Sequence, residues 1–181
     1  MKPLYHRILG DQWQQATIPV RAGHATSIIG NGIFKIERGS TKIARIAASL
    51  LCMPAAADSC TTSLKVTQHG VQEFWERSFN NVLYSSRQEA SAEGLLCERA
   101  GPLCFFLELS VVDGALIYQS RRFGIGIGSR IISLPNIISP IVTASERAAG
   151  DSSIDSLVTI AMPLIGRLVS YSGTLHFSEV P

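Results

Sequence analysis

Two apolar, β-rich runs flank an Asp-Gly pair in residues 103–123, LCFFLELSVVDGALIYQSRRF. An Asp-Gly pair between such runs is a strong signal for a tight β-hairpin, because the favoured two-residue turn needs positive φ at its central residues. Residues 103–112 and 115–123 are therefore predicted to form two antiparallel strands around Asp113-Gly114.

Turn signals of the same kind recur on both sides of this hairpin. They separate runs of roughly 8–12 residues, a spacing that leaves no room for the helices of βαβ units. The sequence therefore predicts an antiparallel meander over residues 58–181. Its turns are expected at His69-Gly70, Asn80-Asn81, Ser91–Gly94, Gly101-Pro102, Gly150-Asp151 and Pro163–Gly166.

The predicted fold class is α+β, predominantly β. Roughly nine strands should form a curved antiparallel sheet, a half-barrel or open barrel, because a long sheet twists and curls over its buried face. A closed barrel is the alternative, since closure removes exposed sheet edges. The last strand is expected to have one buried face, formed by Val169, Tyr171, Leu175 and Phe177. The polar residues that alternate with them along the strand should share the opposite, solvent-exposed face.

The helical signals lie in the first third of the chain. Residues 1–25 suggest short helical turns, and residues 26–57 suggest a strand or hairpin followed by a helix at 41–52. In that helix an apolar stripe predicts one buried face packed at the mouth of the sheet, formed by Ile43, Ile46, Ala47, Leu50 and Leu51. All of these segments are expected to belong to a single domain, 1–181.

Composition limits the function classes. The 181 residues are 46% hydrophobic and 17% charged, which excludes a disordered chain. A formal charge of +2 argues against a nucleic-acid partner. Neither a secretory signal nor an apolar run of about 20 residues is visible, so we expect a cytoplasmic protein without a transmembrane segment.

No metal or cofactor is expected. Cys52, Cys60, Cys97 and Cys104 lack C-x-x-C spacing, and Cys97 and Cys104 sit in apolar runs typical of buried, reduced thiols. The glycines of residues 124–128 lack the G-x-G-x-x-G spacing of a dinucleotide site. We predict that this segment is a flexible loop at the rim of the sheet.

The segment EFWERSF, residues 73–79, carries the most informative cluster of side chains. In a strand Glu73, Trp75, Arg77 and Phe79 project from one face. If that face is concave, Arg77 needs a carboxylate or a bound anion, because an unpaired buried charge is costly. Glu98 and Glu37 are the expected protein partners.

The predicted ligand-binding residues are Trp75, Arg77, Phe79, Glu98, Glu37, Arg38 and Tyr171. They would hold an apolar or amphipathic, lipid-like small molecule, with its polar head on the arginine. Three alternatives stay open: a structural Arg77–Glu98 pair on a solvated face, acid–base chemistry by Glu98 or Glu73, and a purely structural or dimerising domain. Lys35, Arg38, Lys42 and Arg45 around the helix could contact an anionic membrane surface, but four charges over eleven residues are fewer than in the usual polybasic signals, and a solvated rim explains them better.

Several motifs resemble those of the bacterial domain-of-unknown-function family 4166. They are Glu37-Arg38-Gly39, ARIAASLLCMP (44–54), EFWERSF (73–79), GLLCERAGPL (94–103) and PLIGRLVSYSGTL (163–175), and the resemblance runs from about Leu9 to Phe177. In that family the domain also occurs fused behind short-chain or saccharopine-dehydrogenase-like domains. The resemblance implies a dehydrogenase-like protein partner but no assigned activity, so a non-enzymatic binding module is the favoured hypothesis.

Overall fold

The computed structural model describes residues 2–25, 27–128 and 130–179. Its main element is an antiparallel sheet of eleven strands within these residues. The strands are β1 Ser27–Arg38, β2 Ala57–His69, β3 Gln72–Phe79, β4 Val82–Ala90, β5 Leu96–Ala100, β6 Leu103–Val112, β7 Ala115–Ile127, β8 Arg130–Ser133, β9 Ile141–Gly150, β10 Ser153–Met162 and β11 Gly166–Glu179. The helices are α1 Leu4–Leu9, α2 Ile18–Ala22 and α3 Lys42–Leu50, with 3₁₀ turns at Gly10–Gln15 and Asn136–Ile138.

Ten of these strands close into a barrel, with β8 as an extra strand beside the second half of β7. From β1 to β8 each strand pairs with the next along the chain, β7 also pairs with β9, β9 pairs with β10 and β10 with β11, and β11 returns to pair with β1. The predominantly β, antiparallel prediction is confirmed. The half-barrel or open barrel of about nine strands is wrong, because the β1–β11 and β6–β7 pairings join ten strands into a continuous ring.

The seam between β1 and β11 depends on two glycines at points of close backbone approach. A Cβ at Gly32 would lie 2.1 Å from the carbonyl oxygen of Thr174. A Cβ at Gly173 would lie 2.3 Å from the carbonyl oxygen of Ile33 and 2.7 Å from the ring of Phe34. No side chain fits at these distances, so glycine is required where the barrel closes.

The two ends of the barrel differ. Because neighbouring strands are antiparallel, α3 and the β3–β4, β5–β6 and β10–β11 turns meet at one end, here called the open end. The N-terminal segment, residues 2–25, covers the opposite or closed end. There the Thr17 amide donates to the Gly114 carbonyl at 3.0 Å, and the Arg7 guanidinium donates to the Val71 carbonyl at 2.7 Å.

The side chains of the N-terminal segment form a plug. Leu4, Tyr5, Trp13 and Val20 are all buried and belong to the main hydrophobic core together with side chains of the barrel interior. The predicted short helical turns in residues 1–25 are confirmed for the residues that the structure describes. Their function in the fold is to seal one end of the barrel.

Helix α3 lies at the mouth, but its predicted buried face is wrong for three of its five residues; of that stripe only Ala47 and Leu51 are partly buried and pack against the core. Ala44 and Ala48 are buried, whereas Ile43, Ile46 and Leu50 are 64%, 60% and 79% exposed. The small alanines face the barrel because the chain approaches closely there: a Cβ at Gly39 would lie 2.7 Å from the Cβ of Ala44. The helix therefore packs its small residues against the barrel, and its large apolar residues face the solvent.

The glycine-rich segment at 124–128 is more ordered than predicted. Strand β7 continues to Ile127, and β8 follows from Arg130, so most of the predicted loop is strand. The Gly126 amide donates to the Pro102 carbonyl at 2.7 Å, which ties this segment to the β5–β6 turn.

Cys97 and Cys104 are buried, as predicted. None of the helices in the described residues is long and apolar enough to cross a membrane.

We expect Gly173→Ala to lower the free energy of unfolding by about 1–3 kcal/mol, because the added methyl group must displace backbone or the Phe34 ring. Gly126→Ala is the matched control. Its Cβ would meet only the Pro102 oxygen at 3.5 Å and the Cys104 sulfur at 3.8 Å, so a change below about 1 kcal/mol is expected. Urea unfolding of both variants measures the difference, and equal stabilities would contradict the seam as described.

Candidate ligand-binding cavity

A cavity of about 840 Å³ occupies the inside of the barrel. Its wall contains nine aromatic side chains: Tyr5, Phe34, Trp75, Phe79, Tyr84, Phe105, Tyr118, Tyr171 and Phe177. Among the lining residues Leu50, Val82 and Leu83 are also exposed to solvent, and all three lie at the open end. The cavity therefore opens between α3 and the β3–β4 turn.

Strand β3 turns its predicted face toward this cavity. Trp75 and Phe79 are buried and Arg77 is half-buried, and all three line the cavity. The strand alternates between the two faces, which places Phe74 and Glu76 outside. The geometric condition on which the ligand hypothesis depends is therefore met: Trp75 and its companions face a hollow interior.

Arg77 is held by a fixed set of contacts in the cavity wall. Its Nη1 atom donates to Glu98 Oε1 at 3.0 Å and to Ser86 Oγ at 3.0 Å. The guanidinium carbon lies 4.8 Å from the centroid of the Trp75 ring, at cation–π distance. The Ser86 hydroxyl also donates to Glu98 Oε1 at 2.6 Å, so Arg77, Ser86 and Glu98 form a closed triangle.

The environment keeps both members of this pair charged. Burial alone would raise the pKa of Glu98, but the charge of Arg77 and hydrogen bonds from Ser86, Arg77 and Gln88 outweigh it and hold that pKa below its usual range. Burial likewise disfavours the charged guanidinium, yet Glu98 keeps the pKa of Arg77 above its usual value. A carboxylate so stabilised is a poor general acid or base.

A second polar cluster lies deeper, against the N-terminal plug, and the sequence did not predict it. His24 Nε2 lies 2.5 Å from Glu146 Oε2, and the Tyr118 hydroxyl donates to the same oxygen at 3.0 Å. The Tyr5 ring lies 3.9 Å from the His24 ring, centroid to centroid. These four side chains come from the N-terminal segment, β7 and β9, which are far apart in sequence.

The charges of this deeper cluster are also stabilised. Burial would raise the pKa of Glu146, but the electrostatic interaction with His24 and the hydrogen bonds to His24 and Tyr118 hold it below its usual range. Burial, followed by the charge of Glu146, raises the pKa of Tyr5 and of Tyr118 well above the ordinary value. Both phenols are therefore neutral donors at the floor of the cavity.

Gln88 connects the two clusters. It accepts a hydrogen bond from the Tyr5 hydroxyl at 2.8 Å and donates one to Glu98. A continuous polar band thus runs from Arg77 through Glu98 and Gln88 to Tyr5 and on to Tyr118, whose hydroxyl lies 3.5 Å from that of Tyr5. The rest of the cavity wall is mainly apolar, so the interior has an apolar part and a polar band.

Glu73 does not reach the cavity. It is 1% exposed, accepts hydrogen bonds from the Leu4 amide at 3.3 Å and from Trp75 Nε1 at 3.2 Å, and lies outside the cavity lining. Burial raises its pKa, although the charge of His24 and these hydrogen bonds act against that effect. Its position gives it the function of anchoring the N-terminal plug to β3.

The remaining predicted site residues are divided between the two sides of the wall. Glu37 lies outside, paired with Lys35 at 2.9 Å and Arg167 at 3.2 Å, because strand alternation places it opposite Phe34 and Ile36. The structure therefore does not bring Glu37 to Arg77, and the expected Glu37 partner is corrected to Glu98 alone. A residue on the outer face cannot contact a ligand in the cavity.

Arg38 and Tyr171 line the cavity. Arg38 donates from Nε to the Pro54 carbonyl at 2.9 Å, from Nη1 to Ser49 Oγ at 2.7 Å and from Nη2 to the Met53 carbonyl. It thereby ties the end of α3 to the barrel rim. Tyr171 packs against Phe79 with ring centroids 5.5 Å apart, and burial raises its pKa to about 12, so it is neutral.

The fold and this cavity define an up-and-down antiparallel β-barrel with an internal pocket. Comparison with protein families matches residues 15–175 to the domain of unknown function DUF4166. The match covers most of the chain, and the protein belongs to that family. Comparisons with curated proteins and with solved structures found no match.

The Arg77–Glu98 pair makes stability depend on pH in a defined direction. A carboxyl group whose folded pKa is lowered stabilises the fold above its unfolded pKa and loses that contribution as the pH falls through the folded pKa. We expect the free energy of unfolding to fall from about pH 5 to about pH 3, and to fall less steeply in Glu98→Gln, which lacks this titration.

At neutral pH the same Glu98→Gln substitution should cost about 1–3 kcal/mol, because Arg77 loses its counter-charge inside the barrel. Glu108→Gln is the control, since it breaks an Arg121 pair whose side chains are about half exposed and should change stability by less than about 1 kcal/mol. Urea titrations across the pH range measure both effects. A Glu98→Gln curve parallel to that of the wild type would contradict the assigned charge state.

Proposed function

We propose that the protein is a binding module that holds one apolar or amphipathic small molecule inside the barrel. The observation that carries this proposal is the aromatic-walled cavity of about 840 Å³ with its polar band. A volume of this size lies in the range of natural small-molecule pockets, about 300–1,000 Å³. It is also far larger than the voids that ordinary protein cores contain.

The apolar body of the ligand would lie along the aromatic wall. Phe34, Phe79 and Tyr171 form one continuous aromatic group, with Tyr171 in contact with both phenylalanine rings. Aromatic and aliphatic walls favour a ligand whose burial removes apolar surface from water, at roughly 25 cal/mol per Å². Chains and fused rings both meet that requirement.

The polar end of the ligand would lie on Arg77. A guanidinium has five N–H donors in a planar fork, and the contacts to Glu98 and Ser86 both involve Nη1. The Arg77 side chain is 24% exposed, and it lines the cavity. Its other donors therefore suit an acceptor such as a carboxylate, a carbonyl or a phosphate oxygen.

Acid–base catalysis by Glu98 or Glu73 has less support. Glu98 is stabilised as a carboxylate by Arg77, and Glu73 lies behind Trp75 outside the cavity lining. A dehydrogenase-like partner and a cytoplasmic location stay predictions from the resemblance and the sequence. A purely structural barrel is the competing explanation that the following experiments exclude or support.

We expect native mass spectrometry of freshly purified protein to show a co-purified amphiphile. We also expect the dansyl-labelled fatty acid 11-(dansylamino)undecanoic acid to bind with increased fluorescence. Ala144→Trp, which places an indole in the cavity wall, should abolish probe binding. Thr143→Trp, one residue along β9 on the exposed face, is the matched control and should bind as the wild type does.

Arg77→Leu tests where the polar end of the ligand lies. It should weaken binding of the carboxylate probe about tenfold, the loss expected for one charge-assisted hydrogen bond. Arg121→Leu, on the barrel exterior, should leave binding unchanged. Wild-type protein that never takes up the probe and always emerges empty would overturn the binding module and leave the structural barrel.

A further inference from the structure

The exposed apolar side chains are concentrated at the open end of the barrel. Seventeen large hydrophobic residues are exposed among the described residues, and eleven of them lie at this end. They are Ile43, Ile46 and Leu50 on α3, Val82 and Leu83 after the β3–β4 turn, Leu164 in the β10–β11 turn, and five isoleucines between residues 127 and 141. The other six, Ile18, Ile33, Val71, Phe74, Val112 and Leu157, are scattered over the walls and the closed end.

These residues surround the mouth of the cavity. Leu50, Val82 and Leu83 are exposed and also line the cavity, so the apolar rim and the apolar interior are continuous. Ile43, Ile46 and Leu50 extend the rim along one stripe of α3 at i, i+3 and i+7. Apolar surface concentrated in this way marks an interaction surface, because isolated exposed residues would be scattered.

The charge of this end is positive. Its segments, residues 35–60, 78–84, 99–104, 124–128, 130–143 and 160–169, contain seven basic residues and two acidic ones, Glu37 and Asp58. Lys42, Arg45 and Arg130 have no ion-pair partner among the described residues, and all three are exposed. The closed end, by contrast, carries Asp113 and Asp151 in its turns.

An apolar helix face beside unpaired lysine and arginine residues is complementary to an anionic lipid surface, where acyl chains accept the isoleucines and headgroups accept the cations. We infer that the open end docks on an anionic bilayer through Ile43, Ile46 and Leu50, and that the amphipathic ligand enters the cavity there. The role of this docking in ligand entry rests on the proposed function, but binding to the bilayer is a separate event that can be measured by itself. The continuity of rim and interior lets a ligand move between bilayer and cavity along apolar surface.

Co-sedimentation with vesicles tests the docking directly. The wild type should bind phosphatidylcholine vesicles that contain phosphatidylglycerol, and should bind pure phosphatidylcholine vesicles much more weakly. Changing Ile43→Asp together with Ile46→Asp should reduce binding at least about tenfold, because two apolar contacts are lost and negative charge is added. Changing Val71→Asp with Val112→Asp, at the closed end, is the matched control and should leave binding unchanged.

The contribution of the basic residues to vesicle binding can be tested separately. Changing Lys42→Gln together with Arg45→Gln should lower binding to the anionic vesicles and weaken its dependence on salt, because fewer cations face the headgroups. Far-ultraviolet circular dichroism and urea unfolding check that these exposed substitutions leave the barrel folded. A loss of binding that the closed-end control shares equally would overturn the docking face.

Two further outcomes would also overturn it. The wild type could fail to bind anionic vesicles, or it could form a dimer that Ile46→Asp dissociates, in which case a second copy of the chain covers this face. Uptake of the dansyl fatty acid from vesicle-free buffer separates the two proposals. Retained vesicle binding without probe uptake would refute only the internal ligand, and retained uptake without vesicle binding would refute only the docking.

Discussion

Ring closure is the constraint on which the rest of the structure depends. Once β11 pairs with β1, the number of strands fixes the width of the barrel, because barrel diameter grows with strand number. A barrel of about eight strands is just narrow enough for side chains to fill its interior. Ten strands enclose more space than these side chains occupy, and a cavity follows from geometry even though its wall is rich in aromatic rings.

A closed ring still has two open ends, and this chain treats them differently. The N-terminal segment closes one with Leu4, Tyr5, Trp13 and Val20, and Glu73 anchors it by accepting from the Leu4 amide. At the other end α3 lies against the rim through its alanines, and the cavity opens beside it. The result is a pocket that the N-terminal segment closes at one end and that opens at the other, an arrangement compatible with the proposed binding module.

The orientation of the predicted site residues could be predicted where it depended on alternation within a single strand. Trp75, Arg77 and Phe79 share a face of β3, and that periodicity is visible in the sequence. Glu98 was identified as a partner of Arg77, but the two residues lie on β3 and β5, and only the tertiary structure brings them together across β4. His24, Tyr118 and Glu146 were not predicted to form a cluster because they are far apart in sequence, and a lone histidine in the turn after α2 gives no sign of the carboxylate it will contact. Glu37 was misplaced for the same reason, since neighbouring an arginine in sequence does not fix the face of the sheet.

The sequence by itself determined the local structure of this protein. Alternating apolar residues and well-spaced turn signals specify antiparallel strands, Thr41 and Pro54 bracket α3, and the motifs identify the family. These features depend on residues within about ten positions of one another, which is the range over which backbone sterics and turn chemistry act. Only the tertiary structure decided that the sheet closes, that the interior stays hollow, and that α3 turns its isoleucines outward. Those outcomes depend on which strands and helix faces, distant in sequence, approach closely enough to pack. A local sequence pattern does not specify the distances between them.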